Sequence, residues 1–106
     1  MKVIVSEAHD SDMRVAAHAH STEGIRHVLA AGVDTVKHGS FIDEACIDIM
    51  LKQGTWLVPT LSISDFTIAR GEKSGARPEG IAKIKIARGV RRNNIRKAME
   101  AGCSVE

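Results

Sequence analysis

Three of the five histidines in this 106-residue chain stand at a spacing that suits metal binding. His18 and His20 close the run Val15-Ala16-Ala17-His18-Ala19-His20, and His38 follows His18 by twenty positions. Side chains alternate along a strand, so His18 and His20 share a face with Ala16 while Val15, Ala17 and Ala19 face the other way. Two imidazoles on one face, joined by a third from a neighbouring strand, make the nitrogen-rich shell that zinc and similar divalent ions accept. A single histidine at a strand end is more often a hydrogen-bonded structural residue than a ligand. The paired spacing sets His18 and His38 apart from that ordinary role. His9 and His27 stay in it: His9 ends a helix, where a cation favours the dipole, and His27 lies on the polar side of its own helix.

The elements that position these residues repeat about every 20 residues. Asp12, Gly32 and Gly54 each precede a short, mostly apolar run, and His18, His38 and Thr60 stand six positions after them. Strands are predicted near 13–20, 33–38 and 55–60. Between them the apolar period lengthens to that of a helix. Ser21 and Thr22 offer an N-cap ahead of Ile25, Val28 and Leu29, and Gly32 a stop. Ser40 and Asp43 fit a capping box ahead of Cys46, Ile47, Met50 and Leu51, which Gly54 closes. Helical crossovers require the strands to be parallel, and parallel strands deliver His18, His38 and Thr60 to the same carboxyl edge.

The flanks extend this βαβαβ unit. A first helix is expected to bury Ile4, Val5 and Ala8, and a short one to cover about 64–70. Pro78 suits the first turn of a long helix near 78–101 with Ile81, Ile84, Ala87, Ile95 and Ala98 on one face. Cys103-Ser104-Val105 reads as the opening of a further strand. Three parallel strands and the start of a fourth leave open edges, so the chain reads as a piece of something larger.

Composition narrows the function. Hydrophobic residues make up 43% of the chain, enough for a core, while aromatics at 3% argue against recognition by stacking. Cys46 and Cys103 lie 57 positions apart with no CxxC spacing, so they read as thiols in a reducing compartment rather than a disulfide framework. No apolar run approaches a membrane span, and the first residues are too short for a signal peptide. The net charge of +2 hides an asymmetry: residues 61–106 carry ten Lys or Arg against five Asp or Glu. Lys83, Lys85, Arg88, Arg91, Arg92, Arg96 and Lys97 fall in a stretch without acidic residues. Lacking aromatics, that stretch reads as a solvated helix face and no nucleic-acid partner is expected.

Taken together, Val15-Ala16-Ala17-His18-Ala19-His20, Glu23-Gly24-Ile25, Ala31-Gly32-Val33-Asp34-Thr35-Val36-Lys37-His38-Gly39 and Gly54-Thr55-Trp56-Leu57-Val58-Pro59-Thr60 resemble the amidohydrolase superfamily, in its prolidase-like and imidazolonepropionase-like branch. The similarity runs over nearly all of residues 1–106. It implies an α/β fold that is part of a (β/α)8 TIM barrel, from about the end of helix 4 to the start of strand 8. It implies His18 and His38 as metal ligands ending the fifth and sixth strands, and His20 beside the substrate. Thr60 ends the seventh strand, where its hydroxyl faces substrate or simply closes the strand after Pro59. Trp56 packs the barrel. Lys37 stands where a Glu is frequent in this branch, and no catalytic role is attached to it. The family's first-strand HxH, bridging lysine and catalytic aspartate have no counterpart in residues 1–106, so no catalytic residue is expected within this segment. A full site would hold a divalent metal, zinc, as one or two ions that activate water and polarise the scissile carbonyl.

The resulting expectation is a cytoplasmic, metal-dependent hydrolase of amide-type C–N bonds in a dipeptide, acylated amino acid or cyclic amide. Its partners would be a small-molecule substrate and the remainder of the barrel or a homo-oligomer, with no membrane. The segment alone would be inactive. The alternative is a non-catalytic interaction module that uses the basic helix 78–101 against an acidic partner, and a third reading is a degenerate copy without function of its own.

Overall fold

The computed structural model describes residues 1–106, apart from the side chains of Ile63 and Ser64. In chain order the elements are α1 (Lys2–Asp10), β1 (Ala16–Ala19), α2 (Thr22–Ala30), β2 (Thr35–His38), α3 (Glu44–Gln53), β3 (Trp56–Val58), α4 (Ser62–Ser74) and α5 (Pro78–Glu100). The strands form one parallel sheet in the order β1-β2-β3, with Ala17 beside Val36 and Val36 beside Leu57. A parallel bridge between Leu57 and Val105 begins a fourth strand along β3. The α/β class and the parallel strand order follow the sequence expectation.

Local chemistry sets the helix starts. The Ser21 hydroxyl accepts the Gly24 N–H at 3.1 Å, and the Asp43 carboxylate accepts the Cys46 N–H at 2.8 Å. Asp43 is therefore the N-cap of α3, and the expected capping box from Ser40 does not form, because the Ser40 hydroxyl is engaged by His20. Arg26 closes on Asp43 at 2.6 Å and ties α2 to α3.

The hydrogen-bonded strands are shorter than the apolar runs suggested. Met13 donates its N–H back to Ala8, which keeps the chain tied to α1 there, and β1 opens at Ala16. Pro59 has no N–H to give the sheet, and Thr60 departs from it at φ 49°. Helix α4 is longer than expected, whereas α5 occupies nearly the anticipated span. In α1 only Val5 is buried; Ile4 is 62% exposed, because the helix meets the core by one narrow edge.

The core lies on one face of the sheet. Ala17 and Ala19 of β1, Val36 of β2 and Leu57 of β3 are buried with Ile25 and Leu29 of α2, Cys46, Ile47 and Met50 of α3, and Ile95 and Ala98 of α5. The alternate strand residues Ala16, His18 and Trp56 face the open side and are exposed. Ile81, Ile84 and Ala87 are only half-buried, since that half of α5 lies along α4 beyond the sheet. There Lys85 pairs with Glu72, and Arg88 and Arg92 share Asp65. The arm gives the molecule extents of 49 × 27 × 22 Å and a radius of gyration of 15.4 Å, against about 13 Å for a compact chain of this length. Among the described residues no helix is long and apolar enough to cross a membrane.

Asp34 locks the entry to the β1–β2 pair. Its carboxylate accepts the Val15 N–H at 2.8 Å and meets His9 Nε2 at 2.9 Å, joining the end of α1 to both strands. This is the structural use of His9. The Val15 N–H first, and His9 second, hold the Asp34 carboxyl below the usual carboxylate range. A carboxyl depressed on folding stabilises the fold above its unfolded value near 3.9 and loses that contribution as pH falls through the folded value.

Two outcomes follow for this chain in chemical denaturation. Leu57→Ala, at a fully buried strand centre, should cost about 2–5 kcal/mol, whereas Trp56→Ala on the open face should cost less than about 1 kcal/mol. Equal losses would mean that the core is not one-sided. Asp34→Asn should cost about 1 kcal/mol at neutral pH, with the gap to the unaltered chain closing below about pH 4. A gap that persists in acid would show that the ionised carboxylate is not the stabilising form.

Candidate functional site

Parallel pairing sets His18 of β1 beside Lys37 of β2, and Ala19 beside His38. In an unbroken strand His38 would follow Ala19 onto the buried face. It does not, because the backbone turns left-handed at His38 with φ 81°. The ring therefore comes back to the open side, where His38 Nε2 lies 2.8 Å from His18 Nδ1. Gly39 continues the turn at φ 59° and donates its N–H to Ala19 O. A Cβ at Gly39 would come within 2.5 Å of Leu57 Cδ1, so glycine there serves both the turn and the core beneath it.

Thr60 reaches the same rim from the end of β3. Its Oγ1 is 2.6 Å from His38 Nδ1, and its own φ of 49° is unusual for a β-branched residue. His20 stacks on His38 with ring centroids 4.5 Å apart and planes 3° from parallel, and Ser40 Oγ holds His20 Nδ1 at 2.9 Å. The structure thus brings His18, His38 and Thr60 into one hydrogen-bonded chain at the carboxyl end of the sheet, with His20 stacked on His38. Lys37 lies on the open face in register with His18 and makes no hydrogen bond to the cluster.

Proton bookkeeping constrains the cluster. The facing nitrogens of His18 and His38 have room for one proton, since two N–H groups would oppose each other. With His38 Nδ1 donating to Thr60, His38 Nε2 accepts from His18; the reverse chain is equally consistent. Burial first, then the charges of His20, His18, Arg91 and Lys37, hold the His38 imidazole below the ordinary histidine value, which favours the neutral, lone-pair-bearing form.

Two facing imidazole nitrogens fit a divalent ion in place of the shared proton. Zinc–nitrogen bonds of about 2.0–2.1 Å in tetrahedral geometry separate two ligand atoms by about 3.3 Å, so the rings need part by only about half an ångström. Thr60 is placed as ligating histidines require, on the far ring nitrogen. Among the described residues no group of three or more His, Cys, Asp or Glu side chains forms a ready ligand set. His18 and His38 present two facing nitrogen donors.

Sequence reasoning overlooked three neighbours. Ser40 follows His20 by twenty positions, the interval that relates His38 to His18, so the repeat itself was the available signal. Asn94 of α5 donates its Nδ2–H to Ser40 O at 3.0 Å, and the charge of Arg91 bears on His38. Both lie more than fifty residues from their partners, beyond the reach of any local pattern.

Comparisons with known proteins agree with this arrangement. The amidohydrolase family model matches residues 1–105. Ochratoxinase of Aspergillus niger is 31% identical over 106 residues, which cover 99% of this chain and 22% of that protein. An uncharacterized protein of Mycobacterium tuberculosis is 33% identical over 107 residues, covering 99% of this chain and 28% of its own length. Among solved structures, an Xaa-Pro dipeptidase with methionine bound in its active site superposes with a TM-score of 0.81 at 35% identity, covering 98% of this chain and 26% of that one. The A. niger ochratoxinase structure gives a TM-score of 0.88 at 30% identity, covering 98% and 24%. The chain spans about a quarter of the length of these relatives. A family match that runs from the first residue to the last but one, over a sheet that carries its histidines at the expected edge, leaves one conclusion: the chain belongs to the amidohydrolase family.

Proposed function

We propose that this chain is a segment of a (β/α)8 barrel hydrolase that cleaves an amide-type C–N bond in a small molecule. The single observation that carries the reading is the 2.8 Å approach of His18 Nδ1 to His38 Nε2 at the carboxyl edge of parallel strands, in a chain of the amidohydrolase family. These two nitrogens would hold a divalent ion, and the donor chemistry favours zinc, which supplies activation of water and polarisation of a carbonyl when bound.

The chain's own residues prepare that chemistry. Thr60 engages His38 Nδ1 and so orients the ring; when Nδ1 is the donor to the Thr60 hydroxyl, Nε2 keeps the lone pair a ligand needs. Ser40 commits His20 Nδ1, which keeps the His20 ring stacked on His38 and frees its other nitrogen to hydrogen-bond a substrate. His20 and Thr60 thus form the substrate side of the rim, while the Thr60 hydroxyl also steadies His38. Among the described residues no side chain is assigned as general acid or base for this reaction.

The substrate would be a dipeptide, acylated amino acid or cyclic amide, and the solved relatives support the dipeptide among these. One prolidase structure, 32% identical with a TM-score of 0.82, carries N-methylphosphonate-L-proline, and the dipeptidase holds methionine in its active site.

Calorimetric titration of zinc into this chain tests the reading. Uptake should require both imidazoles, with His18→Ala and His38→Ala each weakening it by at least about tenfold, and Thr60→Val weakening it by about 10- to 100-fold through loss of ring orientation. Uptake undiminished in the His18→Ala, His38→Ala double variant would contradict it.

A further inference from the structure

Helix α5 presents one face to the rim of the histidine cluster. Asn94 is bonded to Ser40 O, and Arg91 stands three positions earlier on the same face. The arginines around it are committed elsewhere: Arg88 and Arg92 to Asp65, and Arg96 to Asn93 at 2.7 Å. Arg91 makes no hydrogen bond or ion pair among the described residues, although its Nε is buried. Buried N–H groups are rarely left without an acceptor, because their desolvation is then uncompensated.

The surroundings indicate what kind of acceptor is suited. Among the described residues, no hydrogen bond of His18, His20, His38 or Thr60 goes to a carboxylate. Lys37 adds a second cation on the open face, but as a single charge on a flexible stem. A guanidinium instead offers a planar fork that matches the two oxygens of a carboxylate.

We propose that Arg91 is a specificity-determining residue of this site, one that receives the free carboxylate of the substrate. The inference rests on reading the histidine rim as a hydrolytic site, and it deepens that reading. It favours dipeptides and acylated amino acids, whose scissile amide lies a short, fixed distance from a carboxylate, over cyclic amides that lack one. Arg91 would act by binding and orienting, with no part in bond breaking.

Nuclear magnetic resonance of this chain, with and without zinc, provides the test. The probes are N-acetylglycine and its neutral isostere N-acetylglycinamide. N-acetylglycine should shift the Arg91 Nε–H resonance together with the His20 and His38 ring signals, and bind at least about tenfold more tightly than the amide. Arg91→Gln should abolish that preference, Arg91→Lys should restore part of it, and Arg88→Gln should leave it unchanged. Equal binding of the two probes, or an Arg91 Nε–H signal that ignores N-acetylglycine, would overturn the proposal even where Arg91→Gln fails to fold. Zinc uptake separates the two claims. Uptake through His18 and His38 without carboxylate preference removes Arg91 alone, whereas carboxylate preference without zinc uptake keeps Arg91 and removes the hydrolytic reading.

Discussion

The register between β1 and β2 is the constraint from which the site follows. Parallel pairing puts His18 opposite Lys37 and Ala19 opposite His38, one residue out of step with a direct His18–His38 pair. Only a break in the strand can correct that offset, and the left-handed backbone at His38 supplies it. Left-handed non-glycine residues cost on the order of 1–3 kcal/mol each and persist where their surroundings over-determine them. Here the surroundings are Val36 and Leu57, both fully buried, each contributing roughly 1.5–3 kcal/mol of burial beneath the turn. The core on one face of the sheet therefore sustains the strained geometry on the other.

That division explains why the chemistry-bearing residues are exposed while their supports are not. His18 and His20 stand on the open face, but each is held from below: His18 by buried Ala17 and Ala19 on either side, and His20 by Ser40, which is itself buried. Among the described residues, Thr60 and His38 are two of the three non-glycine residues with positive φ, and they are hydrogen-bonded to each other. Left-handed backbone at both members of a hydrogen-bonded pair is held in place by the surrounding structure. Helix α5 extends the same principle over a longer span, anchoring with Ile95 and Ala98 in the core while Asn94 reaches Ser40 beside the rim.

Much of this was legible in the sequence, for physical reasons that can be named. The interval of about 20 residues carried the strand-helix alternation, and alternation within Ala16 to Ala19 carried the two faces of β1. The resemblance, more than the periodicity, carried the family. What escaped was set by competition between local and distant partners. Ser40 looked like a helix cap, yet its hydroxyl bonds an imidazole twenty residues away, and Asp43 caps alone. Ile4 looked like core, yet α1 buries Val5 alone and is tied to the start of β2 by the His9–Asp34 pair. The basic stretch gave no hint of which arginine would be left uncommitted, since that depends on where Asp65 falls on another helix.

The whole arrangement depends on His18 and His38 meeting across the strand edge. Nuclear Overhauser contacts between assigned imidazole ring protons measure it directly. Strong contacts are expected from the His38 ring to both His18 and His20, with none to His9 or His27. A His38 ring without contact to His18, or one whose neighbours lie on the helix-covered face with Ala19, would contradict it.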